Sequence, residues 1–194
     1  VKFFEDETDA WENEYNVLKL LRNEEGFPQM VHCGVDPFST GENFIAMETI
    51  PGAESGWDFF FEDVDRHAKL QGASMAVREK VAQVIGYQLL ARLRTLHANN
   101  VVHTDVKLRN MLVDEDLKVY LIDFDGSPIG NVALCTATDG TYQSPEQNAA
   151  FIAADGEEVP FDGPKADVWS TGVVLWQLVH GQLWPYSDLA RKEY

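Results

Sequence analysis

Two periods of apolar residues organise the chain. Val1 to Phe4 reads as the end of a strand, and Thr8 or Asp9 can cap a helix through about Arg22, which Gly26 and Pro28 then stop. Strand-like pieces follow at Met30 to Gly34 and Asn43 to Glu48, separated by the turn-forming DPFSTGEN, and IPGAESG has the composition of a linker. From Ala76 to Ala98 the residues Val77, Val81, Ile85, Leu89, Leu93 and Leu96 recur every three or four positions, which predicts a long core helix with one buried stripe. Short strands at 111–113 and 118–122 flank the turn DEDLK. From Gly126 to about Pro164 no period is evident; then ADVWSTGVVLWQLVHG, apolar almost all round and closed by Gly181, predicts a helix buried on most sides.

One polar island breaks this pattern. In VVHTDVKLRNMLVDEDLKVYLIDFDG, residues 101–126, apolar runs at Val101-Val102 and Met111 to Val113 enclose His103, Asp105, Lys107, Arg109 and Asn110, and a third run leads into Asp123. The island is too polar for a strand and too mixed in charge for a core, so a loop displayed at a sheet edge is expected. Asp105, Lys107 and Asn110 place a carboxylate able to take a hydroxyl proton, a cation and a neutral oxygen ligand within one short turn. That is the set phosphoryl transfer needs, and Asp123 adds a second carboxylate able to hold a metal against phosphates. In the first predicted helix Trp11, Leu18 and Leu21 share a face, and Glu14 falls on it. A carboxylate on an apolar face requires a cation.

Composition narrows the partners. The 194 residues are 45% hydrophobic, enough for a folded core, and 32 Asp plus Glu against 15 Lys plus Arg give a net charge of -17. Such a field repels nucleic acid and anionic lipid and favours basic partners. Cys33 and Cys135 are far apart and fit no ligand spacing, which suits a reduced, intracellular, cytoplasmic chain. No stretch has the length of a membrane span or the pattern of a signal peptide.

The island resembles the catalytic loop and metal motif of the eukaryotic-type protein kinases: HTDVKLRN stands where that family has His-Arg-Asp-Leu-Lys-x-x-Asn, and DFDG where it has Asp-Phe-Gly. GTYQSPEQ is similar to the Ala-Pro-Glu motif that closes the activation segment, and DVWSTGVVLW to the buried helix behind the catalytic loop. The resemblance implies an α+β, protein-kinase-like two-lobed fold. Residues 1–50 would form a partial N-lobe, a small antiparallel sheet plus one helix, comprising the family's strand 3 end, helix C, strands 4 and 5 and the hinge. Residues 51–194 would form a mainly helical partial C-lobe with the catalytic loop, metal motif, activation segment and buried central helix. It further implies transfer of the ATP γ-phosphate to a Ser/Thr hydroxyl of a protein substrate, with ATP and Mg2+ as cofactors. Lys107, two residues after Asp105, is the Ser/Thr-kinase arrangement.

Carried over position by position, Asp105 is the base, Lys107 steadies the moving phosphoryl group, Asn110 and Asp123 hold Mg2+, and Glu14 positions Lys2 on the ATP phosphates. In AMETIPG, Met47 would be the gatekeeper, and the backbone of Glu48 and Ile50 would face the adenine edge. Leu112 would lie beneath the adenine ring, while Leu18, His103 and Phe124 would join a packed column. Asp139, Asp155, Glu157, Glu158 and Asp162 would favour a basic protein substrate.

Several positions depart from the family. Thr104 replaces the arginine that receives an activation-segment phosphate, and no Lys or Arg occurs between Lys118 and Lys165. Phosphorylation of Thr136, Thr138, Thr141 or Tyr142 is therefore not expected to be the on-switch. Asp125 stands where the metal motif has glycine, which stiffens the turn unless Gly126 takes over. No glycine-rich loop precedes Lys2, and nothing after Tyr194 supplies further helices or the arginine that partners Glu146. The sequence thus reads as a domain truncated at both ends, poorly active by itself, since a buried carboxylate without its partner costs about 3–5 kcal/mol. The alternative is a pseudokinase, a scaffold that binds nucleotide or partners without turnover, supported by Thr104 and Asp125.

Overall fold

The computed structural model describes residues 1–4, 8–36, 41–130, 132–134, 140–153 and 159–182. Cys135, Thr136, Thr138, Asp139, Asp155, Glu157 and Glu158 lie outside the described residues. Alternation of side chains places Lys2 and Phe4 on one face of β1 (Lys2–Phe4), with Phe4 buried and Phe3 exposed. The strand pairs antiparallel with β3 (Asn43–Met47), which pairs in turn with β2 (Met30–Val35), giving the order β1-β3-β2. Across this sheet lies α1 (Thr8–Leu20), whose Val17 and Leu18 are buried together with Ile45. Trp11 fixes the packing at the other end by donating its indole N–H to the Phe44 carbonyl at 3.3 Å.

The stretch read as a linker carries a short strand, β4 (Glu54–Ser55), because its backbone pairs with β5 (Met111–Val113). β5 pairs with β6 (Val119–Leu121), and Asp114 closes the intervening turn by accepting the N–H groups of Asp116 and Lys118 on its side chain. A π-helical turn at Asp58–Glu62 and α2 (Val64–Gly72) follow β4. Neither shows an extended period in sequence; their buried apolar residues are the Phe59-Phe60 pair and Leu70, with Phe61 packed partly buried beside them.

The central scaffold is α3 (Met75–Ala98) against α5 (Gly163–His180). Ile85, Leu89, Leu93 and Leu96 are fully buried as the periodicity predicts, each contributing about 1.5–3 kcal/mol of burial. Val77 is a correction: it is 52% exposed, since the first turn of α3 projects past the core. Gly86 sets the closeness of the two helices, because a Cβ there would lie 2.8 Å from Leu175 Cδ2. Asp162 caps α5 at its start and Gly181, at φ +64°, ends it in the left-handed conformation. One stripe of α5 is open, with Val168 and Trp169 exposed, so this helix is less enclosed than its composition suggests.

The aperiodic segment also contains regular structure. β7 (Val132–Leu134) pairs with β8 (Pro160–Asp162), and α4 (Pro145–Ala153) packs beside them. Ala133, Ala150, Phe161 and Ala166 form a small core there, whose little side chains leave no marked pattern. The architecture is α+β as expected, with small antiparallel sheets early in the chain and a mostly helical remainder.

Candidate functional site

The polar island folds inward rather than outward. Val101 and Val102 anchor its start in the core, Val106 and Leu108 anchor its middle, and the chain between them is drawn in with His103, Thr104 and Asn110 at 1%, 5% and 6% exposure. The expected displayed loop is therefore corrected in part: these three side chains are buried, while Asp105 and Lys107 are partly exposed and Arg109 is exposed. The loop's polar backbone is tolerated because Asp167, in the first turns of α5, accepts the His103 N–H at 2.9 Å and the Thr104 N–H at 2.8 Å. A third bond, 2.8 Å to His97 Nε2, completes the Asp167 carboxylate. Thr104 sits at φ +66°, a conformation that these bonds hold against its steric cost.

Asp105, Lys107 and Asn110 are brought together. Asp105 Oδ2 lies 2.7 Å from Lys107 Nζ and accepts from Asn110 Nδ2 at 2.8 Å, while the same amide nitrogen donates to the Asp105 carbonyl at 3.1 Å. With its nitrogen turned to Asp105, the Asn110 amide offers its oxygen elsewhere. The short 3-10 turn Leu108–Asn110 delivers this geometry, burying Leu108 beneath it. Arg109 points outward, over the Trp57 ring at 4.9 Å and 3.5 Å from Glu62.

A second cluster forms around Lys2. Its Nζ lies 3.3 Å from Glu14 Oε2, 2.5 Å from Asp123 Oδ1 and 3.0 Å from Asp125 Oδ2. Burial alone would lower the Lys2 pKa, but the charge of Glu14 and the bonds to Asp123 and Asp125 outweigh it and hold the ammonium above its ordinary range. Glu14 is 1% exposed, and that burial pushes its carboxyl above the usual carboxylate value against the pull of Lys2 and of the Phe124 N–H at 2.7 Å. Asp123 itself is at φ +72°.

His103 couples the two clusters. Its Nε2 lies 3.0 Å from the Ile122 carbonyl and its Nδ1 3.4 Å from the Asp105 N–H, which assigns the neutral tautomer with the proton on Nε2. Ile122 N–H donates to the Asn110 carbonyl at 3.0 Å, so the chain leading from β6 to Asp123 is tied directly to the loop. The His103 and Phe124 rings are 5.3 Å apart, and Leu18 lies in the same buried cluster.

The remaining expected nucleotide-site positions lie on β3, on the chain that follows it, and on β5. Met47, half-buried, ends β3 opposite Met30; Glu48 is exposed and gives its N–H to the Gln29 carbonyl at 2.8 Å; Ile50 is half-buried and accepts from Ala53 N–H. Leu112 is half-buried on β5, where register ties it to Tyr120 and Ser55 and not to the end of β3. Glu146 is a further correction: it is exposed in the first turn of α4, where Gln147 and Asn148 face inward instead, so it carries no burial penalty. Asp162 is engaged as the α5 cap, 2.7 Å from Lys165 Nζ.

Sequence reading missed Asn13, Asp125 as a Lys2 partner, Gln147 and the role of Asp167. Gln147 Nε2 donates to the Thr104 carbonyl at 3.1 Å. Asp167 had a visible signal, a carboxylate in a nearly all-apolar helix, which demands buried donors. The donor chemistry fits Mg2+ and a triphosphate: Asp123 and the Asn110 oxygen are hard ligands, and Lys2 is a cation beside them. Among the described residues no three His, Cys, Asp or Glu side chains form a metal cage, and a metal held by one or two carboxylates plus phosphates needs none. No described helix is long and apolar enough to cross a membrane.

Comparison with known proteins gives this geometry a family. CBL-interacting serine/threonine-protein kinase 20 of Arabidopsis thaliana is 30% identical over 182 residues, covering 93% of this chain and 36% of that relative. CBL-interacting protein kinase 5 of Oryza sativa subsp. japonica is 29% identical over 93% of the chain and 35% of its own length, and sucrose non-fermenting protein kinase 1 of Fusarium virguliforme 28% over 91% and 22%. The chain thus spans between about a fifth and about a third of the length of these curated relatives. The family model described as the protein kinase domain matches residues 3–193, and the chain belongs to that family.

Proposed function

We propose that the protein transfers the γ-phosphate of ATP to a serine or threonine hydroxyl of a protein substrate. The observation that carries the reading is the Asp105 carboxylate, held by Lys107 and Asn110 and joined through His103 and Ile122 to the Lys2–Glu14–Asp123 cluster. Names of the similar proteins, serine/threonine-protein kinase among them, support the same class of acceptor.

In this reading Mg-ATP supplies an activated phosphoryl group whose charge the metal spreads. Asp105 orients the acceptor hydroxyl and takes its proton at the carboxylate, which is 25% exposed and so can be reached. Lys107 keeps positive charge beside the transferred group, Asn110 and Asp123 offer the metal ligands, and Lys2, steadied by buried Glu14, receives the nucleotide phosphates. Met47, the Glu48 and Ile50 backbone and Leu112 belong to the same proposal as the adenine end of the site, between residues 1–50 and 51–194. The net charge of -17 supports a basic protein substrate over nucleic acid, and free Cys33 supports an intracellular, cytoplasmic location.

The test is phosphate transfer from labelled ATP to protein by the intact protein, with Asp105→Asn as control. Labelling that depends on Mg2+ and on Asp105 supports the proposal. Nucleotide binding without any transfer would return the pseudokinase reading.

A further inference from the structure

Helix α1 meets the turn after Asp123 through two adjacent side chains, of which Glu14 is one. The other is Asn13, half-buried, whose Nδ2 lies 2.9 Å from the Phe124 carbonyl oxygen, 2.9 Å from that of Asp125 and 2.7 Å from that of Ser127. Three converging carbonyl oxygens require a donor with more than one proton, and a primary amide has two. Glu14 Oε2 meanwhile accepts the Phe124 N–H, so consecutive residues of one helix read both polar faces of the same stretch of backbone.

The opposite side of the turn is held by the catalytic loop. Thr104 Oγ1 donates to the His103 carbonyl at 2.6 Å and lies 3.3 Å from the Gly126 carbonyl, and Ser127 Oγ donates to the His103 carbonyl at 3.2 Å. Every bond that Asn13, Thr104 and Ser127 make here is between neutral groups. Ser127 Oγ–H and the approach of Thr104 Oγ1 to Gly126 therefore join the loop to the turn with no phosphate, where an arginine would need one to complete it.

Building on the proposed kinase reading, we infer that Asn13 is a positioning residue: its amide fixes the 124–127 backbone so that Asp123 is presented to the metal–nucleotide without activation-segment phosphorylation. Asn13 acts through that backbone and touches neither the nucleotide site residues nor Asp105. Its effect should therefore appear in how the site takes up Mg2+, and not in how it recognises protein.

Asn13→Asp is nearly isosteric but turns a carboxylate toward the three carbonyl oxygens, and Asn13→Ala removes the donor without adding repulsion. In the intact protein each should raise hydrogen exchange at the Phe124 and Ser127 amides, by about tenfold or more for Asp and less for Ala. The Mg2+ concentration for half-maximal binding of a fluorescent ATP analogue should rise in the same order, with the KM for protein substrate within about twofold of wild type. Unchanged exchange at 124–127 in a folded Asn13→Ala protein overturns the inference, as does a protein-substrate KM that shifts while the Mg2+ dependence does not. A wild-type protein that transfers no phosphate refutes the kinase reading instead, and the exchange measurement still decides Asn13.

Discussion

Thr104 and Asp167, 63 residues apart, are joined by a 2.8 Å hydrogen bond from the Thr104 main-chain N–H to Asp167 Oδ1. Because Thr104 is at φ +66° and immediately precedes Asp105, this bond fixes the direction in which the candidate base leaves the backbone. Asp167→Asn would turn an amide N–H toward groups that already donate. It should lower stability by about 1–3 kcal/mol, read as a shift of the urea midpoint at constant slope, and reduce kcat more than it raises KM.

Asp105→Asn addresses the proton transfer itself. The variant keeps an oxygen for Asn110 and loses the basic carboxylate, so kcat should fall about 10²- to 10⁴-fold with Mg-nucleotide affinity within about twofold. Stopped-flow nucleotide binding beside single-turnover transfer separates the two, and a smaller loss in kcat would remove Asp105 from the role of base.

Glu14 gives the site a pH dependence of known sign. Its folded pKa is raised above 4.5 by burial, so the fold binds that proton more tightly than the unfolded chain does, and its ionisation erodes stability as pH rises from 4.5 through the raised value. Lys2, also raised, contributes stability that is complete below 10.5 and lost only as pH passes its higher folded value, and is constant across the neutral range. Glu14→Gln keeps an acceptor for the Phe124 N–H. Its stability relative to wild type should therefore increase with pH across the Glu14 window, while kcat/KM falls about 10- to 100-fold as Lys2 loses its buried anchor. Urea midpoints taken at pH 4.5 and 7.5 check this, and a difference independent of pH would contradict it.

Asp125 competes for the same ammonium. Both partners are partly exposed, so their pair is worth no more than about 1 kcal/mol. Asp125→Gly should raise metal-free nucleotide affinity by up to about fivefold, because Lys2 then faces one carboxylate fewer. Equilibrium binding in excess chelator reads the change.

Thr141 and Tyr142 test independence from phosphorylation. Thr141→Ala should leave kcat within about tenfold of wild type. Tyr142→Phe should cost about 1 kcal/mol of stability by deleting the 3.0 Å bond from its hydroxyl to buried Gln177, with kcat preserved. A larger kcat loss at Thr141 would restore an activating role for this segment.

Local pattern was enough to place α1, α3, α5, the strands β1 to β3 and the β5–β6 pair, since each carries an apolar period or turn residues strong enough to specify itself. Glu14 was legible for the same reason, as a charge on an apolar helix face. The segment holding β7, α4 and β8 was not, because its core is made of alanines and one phenylalanine, and small side chains leave no period.

What the sequence determined by itself was the chemistry available: a base, cations and hard oxygen ligands at fixed spacings in a chain able to fold around them. Tertiary structure decided which of those groups meet. His103 and Thr104 are buried because Asp167 arrives from α5 to accept their N–H groups, Lys2 meets Asp123 and Asp125 across more than a hundred residues, and Asn13 finds three carbonyl oxygens that no spacing announces. Periodicity reports how each segment meets the core as a whole. Hydrogen bonds between distant segments depend on where the backbone turns, and that is set only when all the segments have packed.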